Sequence, residues 1–115
     1  MIGGRHCIKY FYKIADGTKV ADSLNAAGYL VITSERQGSA PTNAIWWGSG
    51  IELKDVQFIA YTLINKGFQI RYIGQHSRPG EIQIGGRPNS LIDPAWTVEK
   101  VRALTQLPPD NEGNK

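Results

Sequence analysis

The sequence is poor in soft and imidazole chemistry: it has one cysteine, one methionine and two histidines. A lone Cys7 cannot close an internal disulfide, which fits a reducing compartment. Long apolar runs are also missing. None approaches the ~20 residues that cross a bilayer, and Met1 to Cys7 lacks the hydrophobic stretch of a signal peptide. The expectation is a cytoplasmic chain with no membrane contact. An excess of one charge is scarce too, with 13 Lys and Arg against 10 Asp and Glu. What is present is 115 residues with 41% hydrophobic side chains, enough for one core without a disulfide or metal and too few for two.

The modest net charge is unevenly spread. Residues 1–20 set Arg5, Lys9, Lys13 and Lys19 against Asp16, and residues 66–87 set Lys66, Arg71, Arg78 and Arg87 against Glu81. The other two stretches, residues 21–65 and 88–115, are net acidic. Only a fold that brings the basic stretches together would make a basic surface.

The run Cys7-Ile8-Lys9-Tyr10-Phe11-Tyr12-Lys13 has the alternation of a strand with one wetter face. Asp16-Gly17-Thr18 supplies a capped start for a first helix carrying Val20, Leu24 and Ala27 and stopped by Gly28. Tyr29 to Thr33 reads as a second strand and Ala44 to Gly48 as a third, with a loop between them. Ser49 stands three residues before Glu52, the spacing of a capping box, and opens a second helix with Leu53, Val56, Ile59, Ala60 and Leu63 that ends at Gly67. Phe68 to Ile73 alternates as a fourth strand. Arg78-Pro79-Gly80 suits a turn into a fifth, Glu81 to Ile84, giving a terminal hairpin. Asp93-Pro94 opens a third helix with Trp96, Val101 and Leu104. The expected organisation is an α+β domain over residues 7–90, a C-terminal helix over 91–107 packed on it, and a disordered tail over 108–115.

Strand, helix, strand, strand, helix, strand suggests a ferredoxin-like split βαβ sheet, βαββαβ, of order 4-1-3-2 with both helices on one face and the fifth strand as an extra edge. A differently ordered α/β sheet, or an open sheet completed by a second copy, are the alternatives. Each half hands a helix to a strand through the same pattern, Leu24-Asn25-Ala26-Ala27-Gly28-Tyr29 and Leu63-Ile64-Asn65-Lys66-Gly67-Phe68. This doubled pattern resembles the small βαββαβ accessory modules of bacteria typified by LytR C-terminal and SPOR-type domains. Thr42 to Gly67 is also similar to C-terminal modules of bacterial signalling effectors. The resemblance implies a non-catalytic interaction role in a bacterial protein and assigns no ligand residues.

Few residues invite chemistry. In the 4-1-3-2 order His76 would approach His6 and Cys7, a set able to hold a transition metal or polarise the thiol. A fourth ligand and an orienting carboxylate are missing, so a half-buried cysteine and two surface histidines is the favoured reading. Glu52 and Asp55 suit the first turn of the second helix better than an acid–base pair. Gly85-Gly86-Arg87 runs into Pro88 instead of a helix, which removes the phosphate-loop context. No catalytic residue, metal or cofactor is expected.

The surface that remains is the sheet face turned away from the first two helices. Alternation points Lys9, Phe11, Lys13 and Trp46 outward, and Arg71 is expected to join them from strand four. The leading expectation is that the third helix covers Phe11 and Trp46, or that a second subunit or protein partner does. A lesser one is single-stranded nucleic acid, stacked on the aromatics and held by the cations.

Overall fold

The computed structural model describes residues 7–34 and 41–114. β1 (Cys7–Phe11) keeps its alternation, burying Ile8 and Tyr10 between half-buried Cys7, Lys9 and Phe11. A 3-10 turn at Ile14–Asp16 leads to α1 (Lys19–Ala26), which buries Val20 and Leu24. β2 (Leu30–Ser34) follows, then β3 (Ala44–Trp47) and α2 (Leu53–Asn65), whose buried face is Val56, Ile59, Ala60 and Leu63. β4 (Tyr72–Gln75), β5 (Ile82–Gly85), a 3-10 turn at Pro88–Ser90 and the short α3 (Val98–Arg102) complete the described elements.

The doubled helix ending has a common geometry. Gly28 and Gly67 sit at φ of 95° and 96°, and the amides of Tyr29 and Phe68 reach back to the carbonyls of Leu24 and Leu63 at 3.1 and 3.0 Å. That six-to-one bond satisfies a carbonyl the helix leaves open and turns the chain into the next strand.

The five strands form one mixed sheet of order β2-β1-β5-β3-β4, which corrects the expected 4-1-3-2 interleaving. β1 pairs in parallel with β2 and β3 with β4, so each βαβ unit stays whole. β5 lies between them, parallel to β1 and antiparallel to β3. The second unit therefore runs opposite to the first and grows the sheet the other way, and these two reversals let right-handed crossovers keep both helices on one face. α1 and α2 touch there, over a core that includes Ile8, Tyr10, Ile45, Ile73, Ile82 and Ile84. Each fully buried aliphatic side chain of this kind contributes about 1.5–3 kcal/mol.

β5 is thus central, not an edge, and no β4–β5 hairpin forms. The reason is local. Residues 76–81 carry the chain from β4 across the end of β3, passing so close to Gly48 that a Cβ there would lie 1.8 Å from the Arg78 carbonyl oxygen. The Gly48 amide donates to Glu81 O at 3.0 Å, the Gly80 amide to Ser49 O at 2.8 Å. Ser49 is consequently part of this crossing and not a cap: α2 starts later, with Glu52 at the N-cap position and no side-chain cap bond.

The C-terminal region also departs from expectation. α3 begins at Val98, capped by Thr97, whose hydroxyl accepts from the Lys100 amide at 3.1 Å, and the Asp93-Pro94 start is not used. It packs against α2, with Gln57 Nε2 donating to Val101 O at 3.1 Å. The tail expected to be disordered lies along β4. Gln75 N donates to Pro109 O at 2.9 Å, Asn111 N to Ile73 O at 2.8 Å, and Gly74 bridges to Asp110. The pairing closes the β4 edge of the sheet. Among the described residues, no helix is long and apolar enough to cross a membrane.

Candidate functional site: the outer face of the sheet

Register decides what the outer face carries. Lys9 sits beside Gln83, Gln83 beside Trp46 and Trp46 beside Gly74, so one row of the face crosses four strands. The next row includes Phe11, Ala44 and Tyr72, with Gly85 between Phe11 and Ala44. α3 lies on the helix side, against α2, so the expected cover over Phe11 and Trp46 is absent among the described residues.

Glycines let the large side chains lie down on this face. A Cβ at Gly85 would come within 3.1 Å of Phe11 Cβ, one at Gly86 within 2.9 Å of Lys13 Cε, and one at Gly74 would run into the Tyr72 ring. Phe11, Lys13 and Tyr72 therefore rest on bare backbone. Phe11, Lys13, Trp46, Gln83 and Gly86 enclose a shallow hollow of about 290 Å³. Lys9 Nζ stands 5.5 Å from the Phe11 ring centre, and Trp46 meets Tyr72 at 6.0 Å with a 47° tilt.

Arg71 does not join the face. Its guanidinium bonds the Asp93 carbonyl and Gln69 Oε1, on the opposite side of the strand from Tyr72. Arg87 takes the expected place, 4.1 Å above the Tyr72 ring. Asn43 holds the Arg87 backbone, accepting from its amide at 2.7 Å and donating to its carbonyl at 3.3 Å, while Ser90 Oγ accepts from the guanidinium at 2.6 Å. Sequence reasoning missed both Tyr72 and Arg87. The Gly85-Gly86-Arg87 signal was visible, but its use as a bed for Phe11 and Lys13 depends on strand order. Burial and a hydrogen bond to Asp110 raise the Tyr72 phenol above its ordinary pKa, so it stays a neutral donor.

Beside this aromatic patch is β2, whose Leu30 and Ile32 are each 55% exposed. They flank half-buried Cys7 and Lys9 in register. Among the described residues, no strand pairs with the far side of β2.

The other candidates separate. β5 and β3 lie between β1 and β4, so Cys7 and His76 start from strands roughly 14 Å apart at the usual spacing. His6 lies outside the described residues. His76 is a structural clamp: Nδ1 accepts from the Arg78 amide at 2.9 Å, and Nε2, at 2.8 Å from Glu81 O, donates to it. Glu52 pairs with Lys54 at 3.4 Å, and Asp55 stands in the first turn of α2. Among the described residues, no group of three His, Cys, Asp or Glu side chains is placed to hold a metal. Arg87 is followed by a 3-10 turn at Pro88–Ser90 instead of an α-helix.

No family model, curated protein or solved structure matches the chain.

Proposed function

We propose that this chain is a non-catalytic interaction module that pairs with a second copy through β2 and the adjoining outer face. The observation carrying this reading is the exposure of Leu30 and Ile32 on a strand whose far side pairs with no strand among the described residues, while the β4 edge of the sheet is closed by the tail. An open edge offers unpaired backbone donors and acceptors, and apolar side chains beside it make their pairing with another strand favourable. A twofold axis beside β2 would join the sheets of two copies and bury Leu30 and Ile32 against their equivalents. Sedimentation equilibrium up to high micromolar concentration is expected to show a dimer that Ile32→Lys dissociates. A monomer throughout would overturn the reading.

A second reading rests on a different observation. Half-buried Phe11 and Trp46 come from two strands and border the hollow together with Lys13, Lys9 lies over Phe11, and Arg87 covers the buried Tyr72 ring beside Trp46. Single-stranded nucleic acid is held in this way, bases on aromatic faces and phosphates on cations.

A further inference from the structure

The second basic cluster lies at the end of the sheet, away from the hollow between Phe11 and Trp46. Lys19 opens α1, Lys66 follows the last residue of α2, and Arg71 precedes β4. The three line one cleft of about 410 Å³, within the size range of small-molecule sites. Among the described residues, none of the three forms a salt bridge with a carboxylate. Of the acidic residues near the cleft, Asp16 is buried and turned inward, accepting from Tyr10 and from the amide and hydroxyl of Thr42, and Asp93 meets Arg71 through its backbone carbonyl. The positive end of α1 and the negative end of α2 both adjoin the cleft, so their dipoles offset and the side chains set its field. Half-buried Phe68 and exposed Leu91 supply an apolar wall.

We infer that this cleft binds a phosphate monoester carrying a flat ring, of mononucleotide size. Three cations around one hollow repel one another and are relieved by a dianion. Arg71 spends one guanidinium nitrogen on the Asp93 carbonyl and another on Gln69, which fixes the fork and leaves N–H groups for phosphate oxygens. The lysines act as point charges beside it. Phe68, half-buried against the core and lining the cleft, supplies aromatic contact to the ring.

Adenosine monophosphate is the probe, with adenosine and inorganic phosphate as separate arms, titrated calorimetrically into the full chain. Adenosine monophosphate is expected to bind, with each fragment at least ten-fold weaker. The double variant Lys19→Ala/Lys66→Ala should weaken it at least ten-fold with an unchanged melting curve, because both lysines are exposed. Leu91→Glu, which sets a carboxylate on the rim, should weaken it as well. Phe11→Ala should leave it unchanged, which separates this site from the outer face. Absence of binding at millimolar ligand, undiminished affinity in the double variant, or phosphate binding as tightly as the nucleotide would each overturn the assignment.

Discussion

Asp16 shows at the scale of one residue how far sequence and structure can part. In the sequence it stands before Gly17-Thr18 and reads as the start of a helix cap. In the fold it is 2% exposed and joins Tyr10 of β1 to Thr42 ahead of β3. Thr18 occupies the N-cap position of α1 and makes no side-chain cap bond. The inward turn was not legible, because its partner Thr42 is distant in sequence and only the sheet brings it close. Burial and the hydrogen bond to Asp16 raise the Tyr10 phenol well above its ordinary value of 10.0. A raised folded-state pKa favours the protonated fold, so this contribution is complete below the unfolded tyrosine pKa and is lost as pH climbs beyond it. Stability measured by urea unfolding should therefore decline above pH ~10. Tyr72, raised in the same direction, adds to the slope, so the diagnostic is the difference: Tyr10→Phe should flatten part of the alkaline decline. At neutral pH it should cost about 1.5–3 kcal/mol, the worth of a hydrogen bond to a charged acceptor. An alkaline limb of equal slope in Tyr10→Phe would remove Tyr10 as its source.

The elements differ in how plainly the sequence declares them. α1 and α2 are legible because an apolar face and a glycine stop are both local signals. β3 is legible as an aromatic run, and β1 by its alternation. β4 is displaced from the expected Phe68–Ile73 to Tyr72–Gln75, since the Arg71 and Tyr72 amides both reach the Asn43 carbonyl and pairing starts only there. The tail could not be read, for its order lies in side-chain amides that mimic a strand. Asn111 Oδ1 accepts from the Ile73 amide at 2.9 Å and from Trp96 Nε1 at 2.8 Å, and its Nδ2 donates to Arg71 O at 3.0 Å. Asn114 Nδ2 donates to Pro94 O at 2.7 Å. Asn111→Ala would leave the indole N–H of buried Trp96 without that acceptor, at about 1–3 kcal/mol for each polar group orphaned. A loss on the order of 3 kcal/mol is expected in chemical denaturation. Deletion of residues 109–115 should match or exceed it and bare the β4 edge; an unchanged denaturation midpoint in both would show that the strap contributes nothing to stability.

For the whole molecule, strand order governs which side chains meet. The outward parity of Lys9, Phe11, Lys13 and Trp46 is legible from alternation alone, while the expectation for Arg71 carries the alternation unbroken from Ile70 to Ile73; both isoleucines are buried with two residues between them, because the Arg71 and Tyr72 amides share the Asn43 carbonyl. The crossing at Gly48 is what no periodicity announces, and it places β5 in the middle, with Gly85 and Gly86 under Phe11 and Lys13. This arrangement gives the nucleic-acid reading a sharp test. Neutralising a phosphate releases a condensed counterion, so binding by Lys9, Lys13 and Arg87 should fall with salt at a logarithmic slope of about −2, at roughly −0.7 per contact on a single strand. Phe11 is half-buried and rests on glycine. Phe11→Ala should accordingly spare most of the fold and remove about 1–3 kcal/mol of stacking, well below the 3–5 kcal/mol of stability that a fully buried phenylalanine costs on truncation. Ile32→Lys should leave oligonucleotide affinity intact or raise it, because it breaks the proposed pairing of copies and adds a cation beside Lys9. Fluorescence titration of a labelled oligonucleotide with wild type and both variants separates the two uses of the face. No binding at low salt, with dimerisation abolished by Ile32→Lys, would leave self-association as its function; a slope near −2 with Phe11→Ala impaired and Ile32→Lys intact would favour nucleic acid.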